Sequence, residues 1–232
     1  MLYEFRQYVI ERGRMNDNHD RMANYNIELF RKNGVNAVGR WTTIAGPRMP
    51  LFCYLMQWQD SAERERGWGS FYADPEWTAV RAKTNAGNEM VERNDLYLMT
   101  PNNAFKPNVE DLNRTIGGVH QVLIQQTVPG QNPQIADFLS NIYLPALQRE
   151  GCHVIGVCDV AAGPALPTIV LFLAWKSPEA WWNGWQNFSD SPEVLAAFSD
   201  QRKRLGVSLF RTCDNFVLAP APYALPVAAL KV

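Results

Sequence analysis

Residues 2–10, LYEFRQYVI, alternate apolar and polar side chains, a period of two that predicts a strand. Gly13 opens a stretch running to about Lys32 in which Met15, Met22, Tyr25 and Leu29 recur near helical spacing. Gly34 ends it, as expected of a residue that leaves a helix through positive φ. A strand near 35–43, a turn at Ala45-Gly46-Pro47 and the apolar strand LFCYLMQW follow, and Asp60 or Ser61 caps a second helical region. Within that region the run FYADPEW breaks the pattern. Asp74 is an N-cap type, Pro75 suits the first helical position, where a missing N–H costs nothing, and Glu76 favours the positive helix end. The break reads as structural punctuation that restarts a helix, and the strand DLYLMTP (95–101) completes a β-α-β-β-α-β order.

The same order recurs. Shifting the chain by 117 aligns residues 13–76 with 130–193 without a gap and gives fifteen identities in 64 positions, against about four expected from composition. The matches fall on structurally telling types, among them Gly34/Gly151, Gly39/Gly156, Ala45-Gly46-Pro47/Ala162-Gly163-Pro164, Trp58/Trp175, Gly67-Trp68/Gly184-Trp185 and Pro75-Glu76/Pro192-Glu193. Beyond them a two-residue insertion moves the offset to 119, and DLYLMTP meets DNFVLAP (214–220).

A βαββαβ unit is the ferredoxin-like motif, whose antiparallel sheet carries helices on one face only. Two such units can shelter each other's bare face by closing edge to edge. The expected fold is therefore α+β, two tandem ferredoxin-like repeats forming one pseudo-dimeric α/β barrel with helices outside. The expected boundaries are a first repeat over 1–101, a linker over 102–116, a divergent second repeat over 117–220 and a Pro-rich tail over 221–232.

Three segments of the first repeat resemble the NIPSNAP family: YEFRQYVIERG, VGRWTTIAGP and DSAERERGWGSFYADPEW. The resemblance implies membership of the dimeric α/β-barrel superfamily. It constrains chemistry weakly, since that superfamily spans cofactor-free monooxygenases, isomerases, dehydratases and haem enzymes, and other NIPSNAP proteins are associated with binding and trafficking. The second repeat departs from the pattern, with GVHQVLIQQT in place of the Glu/Arg/Tyr strand, so a symmetric pair of sites is not expected.

Strand alternation sorts candidate residues by face. Tyr3, Phe5, Gln7 and Val9 suit packing under helices, which leaves Glu4, Arg6 and Tyr8 to point into the barrel, with Gln121, Leu123 and Gln125 as their counterparts. On the second strand Ala37, Gly39 and Trp41 are expected under the helices, and Asn36, Arg40 and Thr42 face inward, with His153 and Asp159 matching Asn36 and Thr42. Tyr54 on the third strand could serve as cavity wall or core. The bland alternative is that Glu4 and Arg6 merely neutralise each other at a barrel rim, and that His153, directly after the helix-ending Gly151-Cys152, is a surface residue. His19 and His120 read as structural. His153 and Asp159 lie about 20 Å apart along a strand and cannot form a dyad.

Composition narrows the classes. Lys plus Arg (22) nearly balances Asp plus Glu (23) without a basic run, so nucleic acid is not an expected partner. No apolar stretch approaches the length of a membrane span, and the first residues lack the apolar core of a signal peptide, so a cytoplasmic protein is the expectation. The four cysteines and three histidines show no zinc-ligand spacing, no phosphate-binding or nucleophile-elbow motif occurs, and only His153 could offer a haem an axial ligand. No cofactor and no metal are expected.

Two functions follow. In the first, an enzyme performs proton-transfer chemistry (isomerisation, elimination or cofactor-free oxygenation) on a small organic molecule, with Arg6 and Arg40 holding an anionic oxygen, Glu4 or Asp159 as base and Tyr8 as donor. Thr42, Tyr54, Gln121, Gln125 and His153 would contact the substrate. In the second, the barrel is a non-catalytic ligand-binding or protein-interaction module, and the Pro-rich tail could lie against another subunit of a homodimer.

Overall fold

The computed structural model describes residues 1–115, 117–221 and 223. The first repeat comprises β1 (Leu2–Ile10), α1 (Met15–Arg21), a π-helical turn (Met22–Asn26), α2 (Ile27–Lys32), β2 (Ala37–Ala45), β3 (Leu51–Trp58), α3 (Ser61–Ala73), α4 (Pro75–Asn85) and β4 (Val91–Pro101). A short α5 (Glu110–Arg114) lies in the connection. The second repeat comprises β5 (Val119–Thr127), α6 (Asn132–Phe138), a second π-helical turn (Leu139–Tyr143), α7 (Leu144–Arg149), β6 (His153–Ala162), β7 (Thr168–Trp175), α8 (Pro178–Asp190), α9 (Pro192–Leu205) and β8 (Phe210–Pro220).

Local chemistry places the helix boundaries where the residue types predict. The Asp60 side chain accepts from Glu63 N–H at 2.8 Å and that of Ser177 from Ala180 N–H at 3.1 Å. At the two Pro-Glu breaks, Asp74 accepts from Glu76 N–H at 3.0 Å and Ser191 from Val194 N–H at 3.4 Å. Gly34 and Gly151 end their helices with φ of 70° and 85°, a conformation that costs a residue without a Cβ little.

The eight strands close into one antiparallel barrel in the order β1-β3-β2-β8-β5-β7-β6-β4. Each repeat contributes four adjacent strands, and the seams are β2 with β8 and β4 with β6. The interior is shared as expected, because Phe5 of the first repeat meets Phe172 of the second edge to face at 5.6 Å. An eight-stranded barrel is just wide enough for side chains to fill. Here Tyr3, Phe5, Trp41, Val122, Phe172 and Phe216 belong to one buried cluster, and Leu112 of α5 joins it from the connection.

This filling reverses the expected strand faces. Tyr3, Phe5 and Val9, expected beneath helices, line the interior, while Leu2 and Tyr8 pack with the cluster under the helices of the first repeat. Direct cross-strand partners share a face, so Arg6, Tyr54 and Arg40, in register with one another, lie on that helix side, as do Tyr8, Phe52 and Thr42. Trp41 points inward instead of outward. A bulge between Ala37 and Gly39 lets Ala37 stay beneath the helices on the same strand. In the second repeat, Gln125 and Asp159 both pair with Ile169, which packs under the helices, so they too face outward from the barrel. The physical reason is that the closed interior is the drier and narrower compartment, and it takes the more apolar set.

The expected tail begins with Ala221, whose N–H donates to the Arg40 carbonyl at 3.0 Å. Tyr223 packs its ring 5.7 Å from that of His19, and residues 222 and 224–232 of the tail lie outside the described residues. Among the described residues no helix is long and apolar enough to cross a membrane.

Candidate functional site

Glu4 is completely buried on β1, and five donors converge on its carboxylate. Arg6 Nε donates to Oε1 at 2.7 Å, and Arg64 of α3 donates through Nε at 2.8 Å and Nη2 at 3.1 Å. The indole N–H groups of Trp68 and Trp58 donate to Oε2 at 2.9 and 3.2 Å. Burial by itself would push the Glu4 carboxyl up, but the hydrogen bond from Arg64, the charge of Arg6 and the further bonds outweigh it and hold the pKa below its ordinary value. Glu4 is therefore an ionised anchor whose two oxygens already accept five hydrogen bonds.

What it anchors is Arg6. The guanidinium lies 4.0 Å from the centre of the Trp68 ring, a cation–π stack, and its Nη1 donates at 3.2 Å to both the Tyr8 and the Tyr72 hydroxyls. The Tyr54 hydroxyl also donates to Tyr8. With Tyr8 oxygen accepting from Arg6 and Tyr54, its own proton is the part of the group left to donate elsewhere. Burial raises the pKa of both Tyr8 and Tyr54, so both phenols stay protonated near neutral pH.

Tyr8, Tyr54 and Tyr72 line a cleft of about 370 Å³ between this sheet and its helices, with Trp68, Phe71 and Trp77 as aromatic walls. The π-helical turn contributes its first and last residues, Met22 and Asn26. Such turns widen a helix and recur at functional sites. At the far side Arg21, whose pKa burial lowers to about 10, donates from Nε to Thr84 Oγ1 at 2.7 Å. Asn18 Nδ2 and Asn26 Oδ1, in the cleft wall, make no hydrogen bond to a described residue. The one carboxylate among the cleft's described lining residues, Glu89, is ion-paired with Arg81.

The other expected site residues are dispersed. Arg40 is fully buried opposite Tyr54, and burial lowers its pKa to about 10. Thr42 Oγ1 lies 2.9 Å from His19 Nε2, beyond Tyr54 along the sheet. Gln121 accepts from Trp175 Nε1 at 2.9 Å and donates to Asn215 at 2.9 Å in the second repeat. Gln125 donates to the carbonyls of Gln126, Arg211 and Thr212. Half-exposed His153 sits at a barrel end with Nε2 2.9 Å from Asp111. Asp159 accepts from Asn102 at 2.7 Å; burial raises its pKa, and it lines a different cavity from the one lined by Tyr8 and Tyr54. Among the described residues no group of three or more His, Cys, Asp or Glu could hold a metal ion, and the four cysteines are free thiols.

Sequence reasoning missed Arg64, Trp68, Tyr72, Trp77, Asn26 and Arg21. A signal existed in the repeat itself, because at offset 117 the two halves differ in kind at all of these places but Trp68: Arg64 becomes Trp181, Tyr72 becomes Ser189 and Arg21 becomes Phe138.

Residues 3–103 match the NIPSNAP family model. The match spans the first repeat. A NIPSNAP domain protein from Burkholderia xenovorans is similar to it at 20% identity, covering 44% of this chain and 94% of that one with a TM-score of 0.39. Two monooxygenase-like proteins match across both repeats. The one from Fusobacterium nucleatum is 10% identical, covers 97% of this chain and 96% of its own, and has a TM-score of 0.58; the one from Lactobacillus acidophilus is 9% identical, covers 97% and 95%, and has a TM-score of 0.56. An anthrone oxidase-like protein is 12% identical over 97% of this chain and 94% of its own, with a TM-score of 0.51. The three likenesses that span both repeats show the fold, a ferredoxin-like pair closed into one barrel. No curated protein matches the chain.

Proposed function

We propose that the NIPSNAP repeat binds a small planar organic anion, a phenolate or enolate, in the cleft between its sheet and helices, and that the reaction it supports is oxygenation by O₂ without a metal or nucleotide. The observation that carries this reading is the Arg6–Tyr8 pair: a guanidinium fixed by Glu4 and Trp68 beside a phenol whose proton is left to donate. Preorganised donors of this kind stabilise an oxyanion most strongly where water is excluded. The volume of about 370 Å³ and the aromatic walls suit a ligand of two or three fused rings.

The cleft's polar groups are mainly donors, and its lining carboxylate is already paired. Isomerisation or elimination needs a base to remove a carbon-bound proton, whereas an acidic substrate arrives already ionised. An activated methylene then loses two hydrogens and gains one oxygen atom from O₂, the second oxygen leaving as water, so electrons balance without another reductant. In this scheme Tyr8 and Tyr72 hold the substrate oxyanion, backed by the charge of Arg6 that donates to both hydroxyls, Tyr54 orients Tyr8 by donating to it, and Glu4 positions Arg6. That the one carboxylate among the described lining residues is ion-paired equally favours the second reading, a non-catalytic small-molecule carrier.

The test is titration with anthrone, following tryptophan fluorescence for binding and dissolved oxygen for turnover, in the wild type and in the Arg6→Ala and Tyr8→Phe variants. Saturable quenching with oxygen uptake that falls at least about tenfold in both variants supports the enzyme. Quenching without uptake supports the carrier, and uptake unchanged in Arg6→Ala rejects the assigned roles.

A further inference from the structure

The second repeat holds an apolar cavity of about 240 Å³ in the same place as the cleft of the first. Ten of its twelve lining residues correspond, at offset 117 or 119, to residues lining that cleft, so the two are one architectural feature duplicated with the chain. Leu139 and Tyr143, the first and last residues of the second π-helical turn, line it as Met22 and Asn26 line the other. The lining differs in chemistry. Tyr54, Trp77 and Arg81 are replaced by Leu171, Val194 and Phe198, and Leu123 lines this cavity from the position that Arg6 holds behind the other cleft's lining.

The charged centre has been removed as a set. Gln121 stands where Glu4 would be and keeps the bond to the equivalent tryptophan, while Leu123 and Trp181 stand where Arg6 and Arg64 would be. Protein interiors rarely leave voids larger than a water molecule, so a polar cleft made apolar would ordinarily collapse into core. This one remains open, and no lining residue is ionisable at neutral pH. The walls are aromatic, with Trp185 5.5 Å from Phe188 and Phe198 6.0 Å from Phe210, centre to centre. The Gln125 amide is turned onto backbone carbonyls, which withdraws its donors from the cavity. Apolar cavities of this kind exclude water and admit apolar ligands.

We infer that the second repeat carries its own binding site, for an uncharged aromatic or alicyclic molecule of about two rings, distinct in chemistry from the anion site of the first repeat and independent of whether that site is catalytic. Its occupant is recognised by shape and apolar contact with Leu139, Leu171, Trp185, Phe188 and Phe198.

The 232-residue protein titrated with N-phenyl-1-naphthylamine, a neutral dye that brightens in apolar surroundings, tests the inference. The expected result is saturable binding at one site per chain with a micromolar dissociation constant. Val194→Trp, which restores the side chain found at the matching position of the first repeat, and Phe198→Arg should each weaken it at least about tenfold, and Tyr8→Phe in the other cleft should leave it unchanged. Folding is checked by circular dichroism; should the buried Val194 variant not fold, Ser189→Trp at the exposed rim takes its place with the same expectation. Failure of the dye to saturate, or binding that follows Tyr8→Phe and ignores the second-repeat variants, overturns the inference.

Discussion

Glu4 and Gln121 occupy the same position in the two halves of the chain, each on the first strand of its repeat and each accepting the indole N–H of a buried tryptophan, Trp58 or Trp175. One is a carboxylate because Arg6 and Arg64 reach it. The other is an amide because leucine and tryptophan replace those cations, and a buried charge without a partner is costly.

Exchange at these two positions should therefore be destabilising in both directions. Glu4→Gln leaves buried Arg6 without its counter-charge and should cost about 3 kcal/mol, and Gln121→Glu should cost a similar amount or keep its new carboxyl protonated. Urea unfolding at neutral pH measures both. Since the folded-state pKa of Glu4 is held below its ordinary 4.5, the contribution is fully present above that pH and is lost as pH falls through the folded value.

Tyr72 is half exposed, and its hydroxyl meets Arg6 at the cleft. Tyr72→Phe should shift stability by less than about 0.5 kcal/mol while weakening an anionic cleft ligand by about tenfold or more, the worth of one hydrogen bond to a charged group. Parallel thermal melts and fluorescence titrations separate the two effects.

Inside the barrel, Trp41 Nε1 donates to His120 Nδ1 at 2.7 Å. Because indole nitrogen can only donate, Nδ1 is the acceptor, and the ring proton sits on Nε2 beside Thr115 Oγ1 at 2.8 Å. Burial lowers the His120 pKa from 6.5 to about 4. The unfolded chain thus binds the proton first, so this residue's contribution is present above about pH 6.5 and declines as pH falls toward 4, by up to about 3 kcal/mol. Comparing the pH dependence of unfolding for the wild type and His120→Gln checks it; a difference that is flat from pH 7 to 4 contradicts it.

Gly156 lies against the connection between the repeats. A Cβ there would sit 2.3 Å from Pro107 Cα, a backbone atom that cannot yield as a side-chain tip would. Gly156→Ala should cost about 2 kcal/mol or more by overpacking, whereas alanine at Gly69, where nothing lies within 4 Å of the added Cβ, should be neutral or stabilising, as helical alanine generally is. Chemical denaturation of the two variants gives the comparison.

The duplicated βαββαβ order was legible in residue pattern alone, because it rests on local rules: alternation for strands, positive-φ glycines at Gly34 and Gly151, and the capping chemistry of Asp74-Pro75 and Ser191-Pro192. Barrel closure followed from the need of each sheet to cover its bare face. The pairing of Glu4 with Arg6, offered as the bland alternative, is present, yet it belongs to the helix side and not to a barrel rim.

What residue order by itself determined was the set of elements, their duplication and the period-two partition of each strand into two faces. Which face met the interior was decided by the tertiary structure. Periodicity separates Glu4, Arg6 and Tyr8 from Tyr3, Phe5 and Val9 but carries no sign, and the sign depends on which compartment is narrower once the barrel closes. The interior is filled by Phe5, Trp41 and Phe172, so the polar row went to the layer that the π-helical turns hold open, and the cleft formed there.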